Sequence, residues 1–322
     1  MSFIIEDLPE SIKAAKFGLM IRSVGPVFQK LVMNALLLCL LPAALGSAQQ
    51  LSPKWEELTA EDFVKALQSS SGVCLLPFGI IEKHGPSGPL GTDLINVRGA
   101  TLEAVKQQYA IVFPEYYFGQ IAEARHQPGT VAYRSDLQLA LLQATTDEMA
   151  RNGCHKVLIV NGHGGNTALL QYFIQLQLDS KKDYVVYIYG GTGPRSGETI
   201  PAAAAPSKPG VDGHAGEVEI AGIMANAPGL AHPERAGEES GADQKRLAMP
   251  PGLSTGIWWY ASYPNHYAGD AAGATAARGA ALREMSADGI RKAIAFVKAD
   301  TVAPQLQQEF FEKSSKPLDT KQ

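Results

Sequence analysis

The sequence predicts an α/β fold, a mostly parallel sheet with helices on both faces. Two observations predict it. Short apolar runs closed by Gly or Pro alternate with longer segments of helical period, and the polar motifs follow directly after the apolar runs, where an open α/β sheet gathers its ligands. The chain of 322 residues is 45% hydrophobic and 19% charged, a globular balance that excludes a disordered chain, a coiled coil and a collagen-like fibre. A net charge of −4 provides no overall attraction for nucleic acid, and no nucleic-acid partner is expected.

In chain order, Val73 to Gly79 is a buried strand and Leu94 to Tyr109 an amphipathic helix. Ala110 to Phe113 is the next strand. A helix opens at Ser135-Asp136, carries Leu137, Leu141 and Met149 on one face, and stops at Asn152-Gly153. Lys156 to Val160 is a strand, Thr167 to Leu178 a helix and Tyr184 to Tyr189 a strand. Residues 190–213 and 228–270 read as long loops rich in Gly, Pro and Ala, the second carrying Trp258-Trp259-Tyr260, whose default role is packing. Ala271 to Lys298 is a terminal helix.

Ahead of these elements, Lys30 precedes an apolar run from Leu31 to Leu45, shorter than the ~20 residues of a membrane span, which ends in Gly46-Ser47-Ala48. Residues 1–48 read as a secretory signal cleaved after Ala48, with an uncleaved anchor as the alternative, and residues 49–322 as the mature domain, secreted or periplasmic without stable membrane association. Cleavage removes four basic and three acidic residues and takes the net charge from −4 to −5. The mature chain keeps Cys74 and Cys154, read as two buried thiols, a disulfide being the alternative.

Three segments carry the candidate chemistry. After the first strand, Glu82 and His84 are two apart on an extended stretch and point the same way, and Asp93 follows a Gly/Pro loop. His163 stands in the turn Asn161 to Asn166 at the end of another strand. Asp212, His214 and Glu217 open a later helix. Glu82, His84, Asp93, His163 and Glu217 form a nitrogen and oxygen donor set without thiolate, suited to Zn²⁺, Mn²⁺ or Fe²⁺, and Asp93 can bridge two ions. Singly, each has a plainer reading: a loop pair for Glu82 and His84, a mere turn for Gly164-Gly165-Asn166, a helix cap for Asp212. No G-x-S-x-G elbow supports a serine hydrolase.

Gly79 to Asp93 resembles the G-x-x-E-x-H-G-P-x-x-P-L-G-T-D motif of the creatininase family of metal-dependent amidohydrolases. Asn161 to Asn166 is similar to its N-G-H-G-G-N, and His214 to Glu219 to its H-A-G-E-x-E. Gly269-Asp270, Ala274-Thr275 and Gly279 are similar to its G-D-x-x-x-A-T-x-x-x-G, so the likeness spans about residues 55–300. It implies a single-domain three-layer αβα sandwich, a homohexamer and two divalent ions, Zn and/or Mn with Fe as a further option. By matched position, Glu82, Asp93 and His163 would hold one ion, and His84 with bridging Asp93 the other. His214 would be the acid or base for the leaving group, with Asp212 orienting it or touching substrate.

The chain departs from the creatinine-cleaving members in ways that bear on substrate. Their second-ion carboxylate falls at Gly165 here, and Glu217, three residues from His214 on a helix start, is the expected replacement. A family segment read as pocket lining retains Glu123 and Pro128-Gly129-Thr130, but Ile121, Ala124 and Gln127 replace its Ser, His and Phe, and Val211 replaces a Trp. Glu123 and Gly164 are the expected substrate-binding residues, creatinine itself is disfavoured, and Arg125 and His126 read as a surface pair. No role is expected for His155, His232 or His266. The expected function is that of an exported amidohydrolase acting on a cyclic amide, formamide or small peptide-like substrate. A metal- or ligand-binding protein without turnover on the same fold is the alternative.

Overall fold

A computed structural model describes residues 50–190, 200–208 and 210–321. The expected signal segment, residues 1–48, lies outside them. Leu51–Gln322 form one compact unit. Its helices are α1 (Ala60–Ser70), α2 (Thr92–Val105), α3 (Ser135–Arg151), α4 (Asn166–Leu176), α5 (Glu217–Asn226), α6 (Trp258–Ser262), α7 (Ala276–Ala299) and α8 (Val302–Ser314). Its strands are β1 (Val73–Phe78), β2 (Ile111–Val112), β3 (Lys156–Asn161) and β4 (Val185–Tyr189). All are parallel, in the order β2-β1-β3-β4.

Strand alternation sorts the core into two layers. Cys74, Leu76 and Phe78 of β1 and Val157 and Ile159 of β3 face one side, packing on Ala66 of α1, Met149 of α3 and Phe173 of α4. Val73 and Leu75, with Leu158 and Val160, face the other side and meet Val97 of α2 and Ile290 and Ile294 of α7. Burial on both faces is why these strands read as continuous apolar runs. The result is the expected αβα sandwich. Gly279 lets α7 cross α5 closely: a Cβ there would stand 1.8 Å from the Ala221 carbonyl oxygen.

Among the differences from expectation are these four. β2 is only two residues long, and on its outer edge Val112 N–H donates to the Pro53 carbonyl at 2.7 Å, so an N-terminal segment covers that edge. α2 begins at Thr92, before Asp93, which puts that carboxylate in the first helical turn. α8 follows α7 with no sequence expectation behind it, its Val302, Leu306 and Phe310 exposed.

The fourth is a correction: Cys74 and Cys154 are disulfide-bonded, not free thiols. The register pairing Cys74 with Val157 brings the chain entering β3 alongside β1, with the two Cα atoms 5.6 Å apart. Of the expected loop 190–213, residues 191–199 and 209 fall outside the described set, and the rest is turn and bend. Among the described residues no helix is long and apolar enough to cross a membrane.

Candidate metal centre

The carboxyl ends of β1 and β3 are neighbours, Phe78 facing Asn161 in register, so the segments that follow them converge. After β1, Glu82 N–H donates to the Leu90 carbonyl at 3.0 Å, and the loop returns into α2 with Asp93 in its first turn. His84 Nδ1 donates to the Glu82 carbonyl at 3.2 Å, which leaves Nε2 as the lone-pair nitrogen. After β3, Asn161 clamps its neighbour: its Oδ1 accepts from His163 N–H at 3.2 Å and its Nδ2 donates to the His163 carbonyl at 2.8 Å. Gly162 permits this turn to press against α2, where a Cβ would lie 2.6 Å from Val97 Cβ.

Asp93 stands between the two imidazoles. Its Oδ1 is 3.4 Å from His84 Nε2 and its Oδ2 3.0 Å from His163 Nδ1, which is also 3.0 Å from Glu82 Oε1. Glu219 Oε2 lies 3.6 Å from His84 Nε2, held by the Ala215 N–H at 2.7 Å. Glu82 Oε1, His84 Nε2 and Asp93 Oδ2 are buried without a hydrogen-bond partner. Orphaned lone pairs of this kind, converging from nitrogen and oxygen donors, fit a divalent cation.

Charge balance in the bare cluster points the same way. Burial would lower the pKa of His84, but Asp93, Glu82 and Glu219 raise it to about 9: negative charge converges on Nε2 from three sides. Burial is likewise outweighed at His163, which Glu82 and Asp93 push well above its ordinary value. It is outweighed at Glu82 too, which His163 and His214 hold well below the carboxylate range. Glu219 is raised to about 7 by desolvation, with His84 opposing. His214 is lowered to about 4 by burial, with Glu82 opposing and the neighbouring His84 and His266 adding to the drop. Its Nε2–H donates to the Lys83 carbonyl at 2.8 Å, so its free nitrogen is Nδ1, 3.9 Å from Glu219 Oε2.

The structure thus brings Glu82, His84, Asp93, His163 and His214 together, as expected. It places Glu217 elsewhere: its Oε2 accepts from Ser207 N–H at 2.9 Å and Oγ–H at 2.6 Å, and it pairs with Arg278. The helical spacing assumed for His214 and Glu217 fails because α5 begins only at Glu217. Glu219, two residues on and so on the opposite helix face, reaches the cluster instead. Asp212 caps α5, its Oδ1 accepting from Val218 N–H at 3.2 Å. Glu123 is half-buried and accepts from Gln120 Nε2 at 3.0 Å, outside the cluster. Gly164 lines a cavity of about 410 Å³ that His163 and Glu219 also border.

One member had no sequence signal. His266, 2% exposed, arrives from the loop after α6, and its Nε2 lies 2.5 Å from Glu82 Oε2. Trp259, whose default reading is packing, donates Nε1–H to His266 Nδ1 at 2.8 Å.

A family model described as Creatininase, creatinine amidohydrolase, matches residues 56–294. The mycofactocin precursor peptide peptidase of Mycolicibacterium smegmatis is 29% identical over 171 residues, 51% of this chain and 62% of that protein. The creatinine amidohydrolase of Pseudomonas putida is 24% identical over 127 residues, 38% of this chain and 49% of that protein. The chain therefore matches 49–62% of the length of these two relatives. Among solved structures, a creatinine amidohydrolase superposes with a TM-score of 0.65 at 21% identity, covering 78% of this chain and 100% of that one. A Zn-Zn form of a mutant creatininase gives 0.63 at 20% identity, with 78% and 100% covered. These neighbours share the fold. With the family model matched over most of its length, the chain belongs to the creatininase family.

Proposed function

We propose that this protein is an exported, metal-dependent amidohydrolase cleaving a C–N bond in a cyclic amide, formamide or small peptide-like substrate. One observation carries the reading: the three buried donor atoms Glu82 Oε1, His84 Nε2 and Asp93 Oδ2, which no hydrogen bond satisfies, converge around a carboxylate placed between two imidazoles. Glu82 Oε1, Asp93 Oδ2 and His163 Nδ1 would hold one cation. His84 Nε2, Asp93 Oδ1 and Glu219 Oε2 would hold a second. Two divalent ions, Zn²⁺ and/or Mn²⁺ or else Fe²⁺, supply Lewis-acid polarisation of a carbonyl and acidify water.

The chain's own groups do the rest. The Nε2–H of His214 is committed to the Lys83 carbonyl, so Nδ1 is the nitrogen free to accept a proton and pass it to the leaving nitrogen. Lys83 is itself fixed by Glu239, whose two oxygens lie 2.7 and 2.8 Å from its Nζ, and this steadies the loop carrying Glu82 and His84. The cavity beside His163, Glu219 and Gly164 offers room for a small substrate.

A panel of cyclic amides, formamides and short peptides, offered to Zn²⁺- and Mn²⁺-loaded protein, tests the activity. Turnover should appear on at least one class, vanish on chelation and return with metal. Protein that binds metal yet hydrolyses none of them would instead be a binding module. The signal-like N-terminus and the disulfide both support export, since disulfides persist in oxidising compartments. Mass spectrometry of exported protein should show a chain beginning at Gln49 and no free thiol at Cys74 or Cys154. A retained N-terminus in the cell fraction would overturn this. The homohexamer implied by the family is proposed with it, sedimentation giving the assembled mass.

A further inference from the structure

We infer that His266 is a positioning residue for this centre: oriented by Trp259 as an Nε2–H donor, it engages one oxygen of Glu82 and reserves the other, Oε1, for a cation. The inference rests on the metal-centre reading and adds a residue to it. An indole N–H only donates, and Trp259 Nε1 lies 2.8 Å from His266 Nδ1, so Nδ1 must accept. The ring N–H is then on Nε2, directed at Glu82 Oε2 at 2.5 Å. Trp259 therefore selects the tautomer by hydrogen bonding alone.

The backbone shows that the position is held by its surroundings. His266 has φ 55, the left-handed region that residues other than Gly adopt at a cost, and its N–H is tied to the Tyr263 carbonyl at 3.0 Å. Such strain persists only where the surrounding structure imposes it. The same hydrogen bonds decide what His266 does not do. Glu82, His214 and His266 lie close enough together to suggest a third cation site. Yet His214 Nε2–H is committed to the Lys83 carbonyl and His266 Nε2–H to Glu82, so a third cation would have to displace both protons. With Oε2 occupied, Glu82 turns Oε1 toward His163 Nδ1, 3.0 Å away, as a one-oxygen donor of fixed orientation. Outer partners of metal ligands typically contribute a factor of about 10–100 in affinity.

Competition for Zn²⁺ between the apoprotein and a chromophoric chelator tests this without reference to turnover. Wild type should bind two equivalents. His266→Gly, which suits the left-handed backbone, should still bind two, one of them about 10–100-fold more weakly, and added imidazole should restore the lost affinity. Trp259→Phe preserves the ring packing but removes the N–H, and should weaken the same equivalent by a smaller factor. It carries the test if His266→Gly fails to fold. Unchanged affinity in both variants overturns the inference, as does loss of a whole equivalent in His266→Gly, which would make His266 a ligand. A wild type that takes up no Zn²⁺ refutes instead the metal centre on which the inference rests.

Discussion

His214→Ala should lose hydrolysis by about 10²–10⁴-fold, the usual contribution of a positioned acid or base, while binding as many cations as wild type. The separation of the two effects follows from hydrogen bonding. Nε2 is committed to the Lys83 carbonyl, and Nδ1 lies 3.9 Å from Glu219 Oε2, farther than His84 Nε2 at 3.6 Å from that oxygen. The two proposed cation positions are complete without it. The loss should appear in kcat more than in KM, because proton delivery matters once the C–N bond is breaking. It should also depend on the leaving group: a substrate expelling a weakly basic nitrogen needs little protonation and should suffer least. Removal of the imidazole frees the Lys83 carbonyl, at a cost of about 1–3 kcal/mol if that oxygen stays dry, so the melting temperature is measured alongside. Unchanged turnover would remove the acid–base role. Loss of one equivalent of metal would recast His214 as a ligand.

Much of this site was legible in the sequence because ligands follow strands. Glu82, His84 and His163 each stand a few residues past an apolar run, and β1 and β3 are adjacent, so their loops had to meet. The error at Glu217 was one of helix phase. A spacing of three places two residues on one face only inside a helix, and His214 precedes the first turn of α5, leaving Glu219 to reach the cluster. Cys74 and Cys154 could not be paired from spacing, since their contact depends on strand register across 80 residues. His266 was invisible for a related reason. It lies 184 residues from Glu82 in an irregular loop, and what aims it is a left-handed backbone and an indole seven residues earlier. Local periodicity encodes the sandwich, but contacts supplied by distant loops require the fold.

Asp93→Asn should remove more metal than any other single change, together with activity beyond about 10³-fold, at the upper end of what one preorganised charge contributes. Every proposed ligand except Asp93 serves one cation. Asp93 presents Oδ1 toward His84 and Oδ2 toward His163, so both positions share its charge. The amide keeps the size but has one oxygen, and its NH₂ group points donors at a place where a cation needs a lone pair. Glu219→Gln makes the contrast: Glu219 lies beside His84 alone, so that variant should keep the equivalent held by Glu82 and His163 and lose the other. Stability provides a second readout independent of turnover. A ligand that binds only the folded state stabilises it by about 2.7 kcal/mol at a hundredfold excess over its Kd. Wild type should therefore melt higher on metal addition, Glu219→Gln should retain part of the rise, and Asp93→Asn should show almost none. A full metal-induced rise in Asp93→Asn would mean that the carboxylate does not bridge and that the two positions are independent.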